Sequence, residues 1–159
     1  MWRRVALEAD IRHPPAAVFS WLADPERWSE FAPAVESRRR IGHGTVDVGS
    51  RWEAVDRIGP FRIRFTDELV VLEPDERVVW DSSAPWNSRV EYRLTVVPGG
   101  TRVEARYEGD VAGWLRLAAL LPTWVLRLIL MRDFHGLRRQ LAAEGGVQIE
   151  DQVELTPGT

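Results

Sequence analysis

At 159 residues, with 45% hydrophobic and 28% charged side chains, the chain is the right size for one domain with a real core. A net charge of −3 offers no basic footprint for nucleic acid, and Arg38-Arg39-Arg40 is the one basic run. All 21 basic residues are arginine and cysteine is absent, which excludes lysine Schiff bases, thiol nucleophiles, disulfides and thiolate metal sites.

Residues 4–12 alternate, with Val5, Leu7, Ala9 and Ile11 on one face and charges on the other, which predicts a half-buried strand. No signal-peptide pattern opens the chain, and a cytoplasmic location is expected. His13-Pro14-Pro15 ends the strand. Two short helices should follow, one over AAVFSWLAD and one from Glu26 to Phe31, with Pro33 as the stop. Six further strands are predicted at 35–41, 51–58, 61–72, 78–82, 86–97 and 101–111, with Pro98-Gly99-Gly100 the tightest hairpin signal. The last two should carry cross-strand Arg–Glu pairs on their outer face.

Trp114 to Glu144 reads as one long helix broken at Pro122. Leu126, Leu130, Phe134, Leu137 and Leu141 form its core-facing stripe. Trp124, Val125, Leu128 and Ile129 are left over, a surplus apolar face expected to meet either a second copy of the chain or a membrane surface. Spanning a bilayer is disfavoured by Arg116, Arg127 and Pro122. The domain is expected to close at residue 144, with 145–159 a polar tail.

These elements predict an α+β architecture: a seven-stranded antiparallel sheet wrapped around the C-terminal helix, with two short helices after the first strand. A curved sheet gripping one helix leaves a gap, and that gap is the natural pocket.

The chain resembles the START/Bet v 1-like (SRPBCC) superfamily of helix-grip folds, and within it the polyketide cyclase/dehydrase and lipid-transport group. The resemblance is carried in order by Pro14-Pro15-Ala16-Ala17-Val18-Phe19, by Trp28, Phe31 and Pro33-Ala34-Val35-Glu36, and by Val48-Gly49-Ser50-Arg51-Trp52. It continues through Glu73-Pro74, Arg77-Val78-Val79-Trp80, Pro98, Gly100-Thr101-Arg102-Val103, Leu137, Leu141 and Glu144. It implies a cavity for a small hydrophobic molecule and no particular reaction, because members include carriers as well as enzymes.

Polar residues in phase with inward strand positions are the candidate chemistry, since burying them unpaired is costly. Asp67 is in phase with Phe61, Ile63, Phe65 and Leu69, Arg39 with Val35 and Ile41, and Asp56 with Trp52 and Ala54. An Arg–Asp pair there could hold a ligand carbonyl or serve only as a structural ion pair. Tyr92 and Tyr107 point inward from neighbouring strands as candidate hydrogen-bond donors or general acids. Trp52, Trp80, Trp86, Trp114 and Trp124 sit where pocket or portal walls would be.

The expected catalytic set is therefore Asp67, Tyr92 and Tyr107. The expected ligand-binding set is Arg39, Asp56, Phe65, Trp80, Trp86, Leu126, Leu130 and Phe134. His13, His43 and His135 show no ligand spacing, so neither metal nor cofactor is expected. Three functions fit: a binder of a polyketide-, isoprenoid- or lipid-like molecule, a cyclase or dehydratase working by acid–base and conformational catalysis, or an interaction module using the surplus helix face.

Overall fold

The computed structural model describes residues 2–154, with side chains from 2 to 144 apart from those of Trp114, Ala118 and Ala119. Seven strands form one antiparallel sheet: β1 (Arg3–Ile11), β2 (Val35–Ile41), β3 (Arg51–Ile58), β4 (Phe61–Glu73), β5 (Arg77–Ser82), β6 (Ser88–Val97) and β7 (Gly100–Gly109). Their spatial order is β1-β7-β6-β5-β4-β3-β2. Helix α1 (Pro15–Leu22) and a 3₁₀ segment (Pro25–Glu30) follow β1. A second 3₁₀ segment (Gly113–Leu120) leads into helix α2 (Thr123–Glu154). This is the helix-grip arrangement expected from the sequence. The helix runs on past Glu144, and residues 155–159 of the expected tail lie outside the described residues.

Local chemistry explains the boundaries. Pro15 opens α1, where a missing N–H costs nothing. The Asp24 side chain accepts from the Glu26 backbone N–H and starts the 3₁₀ turn. Pro98 and Gly99 (φ +81°) make the two-residue β6–β7 turn, whose second position needs positive φ.

Two bulges set which side chains look inward. A register shift between Val35 and Ser37 puts Arg38 opposite the buried Ala54 and Arg40 opposite the buried Trp52. Another between Leu69 and Val71 puts Leu72, rather than Val71, opposite the buried Val78. A one-residue slip inverts every later side chain on a strand.

On α2, Phe134, Leu137 and Leu141 are buried in the common core with Trp21, Leu22, Leu69, Trp80 and Val103, while Leu126 and Leu130 are half-buried. Helix α2 comes so close to the turn after the 3₁₀ segment that a Cβ on Gly136 would stand 2.1 Å from the Phe31 carbonyl oxygen. Glu144 anchors the same region, accepting from Trp21 Nε1 (3.1 Å) and Arg27 Nη2 (2.5 Å). The open edge of β1 is covered by α2, whose Arg127 and Arg138 donate to the carbonyls of Ala6 and Asp10.

The outer sheet face carries the expected charges, but the β6–β7 partners opposite each other in register mostly pair elsewhere. Arg89 bonds Asp81 on β5, Glu91 takes Arg77 of β5 as well as Arg93, Glu108 faces Arg4 of β1, and Arg102 reaches Asp10. Among the described residues, no helix is long and apolar enough to cross a membrane.

Candidate functional site

Between the sheet and α2 lie two polar groups of different character. The first sits under β2–β5. Arg38 Nε is 2.6 Å from Asp67 Oδ2, and Arg38 Nη1 is 2.9 Å from Asp56 Oδ1; the three side chains are 5%, 2% and 14% exposed. The Asp56 contact is an ion pair off the N–H direction rather than an aligned hydrogen bond. Asp67 also accepts from the Ser82 hydroxyl at 2.6 Å, and Arg38 Nη1 donates to the carbonyls of Ser37 and Val55. The guanidinium packs 5.0 Å from the Phe65 ring centre and 5.7 Å from that of Trp28. Burial pushes both carboxyls above their usual range, and the Arg38 charge pulls each of them part of the way back.

The second group lies under β6, β7 and α2. The hydroxyls of Tyr92 and Tyr107 are 3.0 Å apart, with the rings edge to face. Two hydroxyls sharing one hydrogen bond leave one O–H free to donate. Burial raises the pKa of both phenols, so at neutral pH they are donors and not bases. Beside Tyr107 is a hollow of about 210 Å³ lined by Val5, Trp86, Val111, Leu126, Ile129 and Leu130, with its rim at Arg3 and Glu108. Its walls are almost wholly apolar.

Asp133 joins the two groups. It follows Leu130 by three residues and precedes Leu137 by four, so it lies on the buried face of α2. Its carboxyl is raised to about 7, first by burial and then by the Asp56 charge, with Arg132 pulling the other way. Its charge in turn disfavours ionisation of both tyrosines. Asp56 and Asp67 share Arg38, and Asp133 stands within electrostatic reach of Asp56, so carboxylates gather on this face.

The predicted residues distribute unevenly. Tyr107, Trp86, Leu126 and Leu130 line the hollow, and Tyr92 backs it. Phe65 packs edge-on against Trp86, 6.2 Å between centres. The Trp86 indole N–H is buried near Asp56 without an aligned partner. Asp56 and Asp67 belong to the ion cluster. Trp80 and Phe134 are core: Trp80 is wedged between Trp28 and Trp52 with its indole N–H donated to the Leu22 carbonyl, and Phe134 is buried in the same cluster.

Arg39 is a correction. It points outward, four-fifths exposed, and pairs with Glu53 at 2.6 Å. The bulge between Val35 and Ser37 inverts the strand, so Arg38 takes the interior place. Trp124 is exposed, and the side chain of Trp114 lies outside the described residues. Asp133 and Arg38 were not among the predicted residues. A carboxylate inside the apolar stripe of α2 was the signal for Asp133; no periodicity could have signalled Arg38.

Comparison with known proteins fits this architecture. A Mycobacterium tuberculosis protein, Rv0088, is 26% identical over 114 residues, 71% of this chain and 50% of its own length. The chain thus spans about half the length of that relative. The crystal structure of TTHA0849 from Thermus thermophilus superposes with a TM-score of 0.73 at 17% identity, over 89% of this chain and 99% of that one. The Zhui aromatase/cyclase from a Streptomyces species superposes with a TM-score of 0.66 at 15% identity, over 94% and 96%. At those identities the likeness concerns the fold alone. The family described as polyketide cyclase / dehydrase and lipid transport matches residues 3–142, and the chain belongs to that family.

Proposed function

We propose that the protein binds a small, mostly apolar ligand bearing one hydrogen-bond-accepting oxygen, in the hollow between Trp86, Tyr107 and α2. The observation that carries this reading is the Tyr92–Tyr107 pair, a spare phenolic donor at the wall of an otherwise apolar space. A volume of about 210 Å³ exceeds the roughly 150 Å³ of an apolar cavity that takes benzene. It falls below the roughly 300–1,000 Å³ of drug-sized pockets. One or two fused rings, or the end of a longer chain, fit that space. Affinity comes from burying apolar surface, and the phenol orients the ligand.

A second reading, a cyclase or dehydratase, draws on Asp133. A carboxyl that titrates near neutrality, within electrostatic reach of two phenols, is suited to taking a proton while a phenol donates to the developing oxyanion.

The binding reading is tested with an isosteric pair, 2-naphthol and 2-methylnaphthalene, titrated calorimetrically. Tyr107→Phe should weaken 2-naphthol by about fivefold, the worth of one net hydrogen bond, and leave 2-methylnaphthalene within about twofold. Leu130→Trp should abolish both while the circular dichroism spectrum is kept. Undiminished binding by Leu130→Trp would refute the site. For the second reading, Asp133→Asn should stop turnover of a poly-β-ketone chain while 2-naphthol still binds.

A further inference from the structure

We propose that the face built from the Gly113–Leu120 segment and the first two turns of α2 docks on an anionic lipid surface. Leu117, Leu120, Trp124 and Leu128 are 70%, 77%, 64% and 58% exposed, and Leu121 and Ile129 are exposed beside them. Val125, expected on the same face, is half-buried. Other exposed apolar residues, such as Val96 and Val48, stand on separate loops and strands and form no such group in the sequence. A single exposed leucine is ordinary, whereas a group of this kind marks a contact surface.

Charge selects the partner. From Val111 to Arg132 the sequence contains Arg116, Arg127 and Arg132 and no aspartate or glutamate, in a chain whose net charge is −3. All three arginines are exposed, and Arg127 spends one guanidinium N–H on the Ala6 carbonyl. Leucine and tryptophan interleaved with arginine are the composition of helices that lie in a membrane interface. A second copy of the chain fits less well. A two-fold interface sets a patch against itself, and here it would bring exposed arginines together. The nearest carboxylates, Asp110 and Asp133, already lie within electrostatic reach of Arg116 and Arg132 of the same chain.

The face is continuous with the hollow: Ile129 is exposed on the patch and also lines the cavity, next to Leu126 and Leu130. Docking would bring the cavity wall to the bilayer, where an apolar ligand is most concentrated. The docking itself does not depend on which ligand the cavity holds.

Flotation with phosphatidylcholine vesicles, with and without phosphatidylglycerol, tests this. The protein should float with the anionic vesicles and lose most of that binding at high salt. Arg116→Gln and Arg132→Gln should each weaken it by about fivefold, since one arginine near such a surface is worth about 1 kcal/mol. Leu128→Glu, at an exposed position, should abolish it with an unchanged melting temperature and unchanged 2-naphthol affinity. Failure to float, or equal floating on neutral vesicles, would overturn the proposal. So would a concentration-dependent dimer in light scattering that Leu128→Glu dissolves. Loss of 2-naphthol binding in the parent protein would count against the cavity reading alone.

Discussion

The two ends of the space beneath the sheet are built on opposite principles. Under β2–β5 the interior is filled: Trp28, Trp52 and Trp80 stack edge to face, and Arg38 is held by two carboxylates and two carbonyls. Under β6, β7 and α2 the aromatic residues spread around empty space, and a phenol keeps a donor unspent. A buried charge needs every partner in place, so the first end is rigid and its polar atoms are committed to the fold. The second end buries few charges and can leave room. Polar atoms inside the cavity are therefore not equivalent, and those without a structural partner are the candidates for chemistry.

The sharpest way to break that contrast is Arg38→Met. It leaves Asp56 and Asp67 buried without a cation, so unfolding in urea should show a loss of about 3–5 kcal/mol at pH 8. The loss should shrink as the pH falls and both carboxyls, already raised by burial, take up protons. Next comes Gly136→Ala, at the filled end. With the Phe31 carbonyl 2.1 Å from the new methyl, α2 must shift, and a cost of about 1–3 kcal/mol is expected in the same assay.

Asp133→Asn probes the junction. Its folded carboxyl titrates at about 7, against 3.8 for an ordinary aspartate. The folded state therefore binds more protons between these values, and stability falls as pH rises through that window. The variant should lack this decline and melt roughly 10 °C above the parent at pH 8, with no gain at about pH 4. The smallest effect is expected from Tyr107→Phe, which removes one hydrogen bond between half-buried phenols. It should cost about 1 kcal/mol or less in stability, so that its influence on 2-naphthol can be read cleanly. A loss as large as that of Arg38→Met would mean that both ends are structural.

Much of this was legible in the residues. The alternation of β1, β6 and β7 and the Leu126–Leu141 stripe revealed the layers, because burying one face of a strand or helix imposes its period on the sequence. The inward placement of Tyr92, Tyr107, Trp86, Leu126 and Leu130 was legible in the same periods. Arg39 was misplaced because a bulge adds a residue without changing composition, and period-two counting cannot see it. Trp80 and Phe134 were placed on the pocket wall because an inward side chain looks the same in sequence whether it meets a cavity or a core. Asp133 was missed for a different reason: one carboxylate between Leu130 and Leu137 leaves the apolar period of α2 unchanged.

The central claim, that ligand enters the open end and not the Arg38 end, is tested most directly by crystals soaked in 4-bromophenol. The bromine anomalous peak should lie among Trp86, Leu126 and Leu130, with the phenol oxygen within hydrogen-bonding distance of the Tyr107 hydroxyl. A peak beside Arg38, or bromine only on the molecular surface, would contradict it.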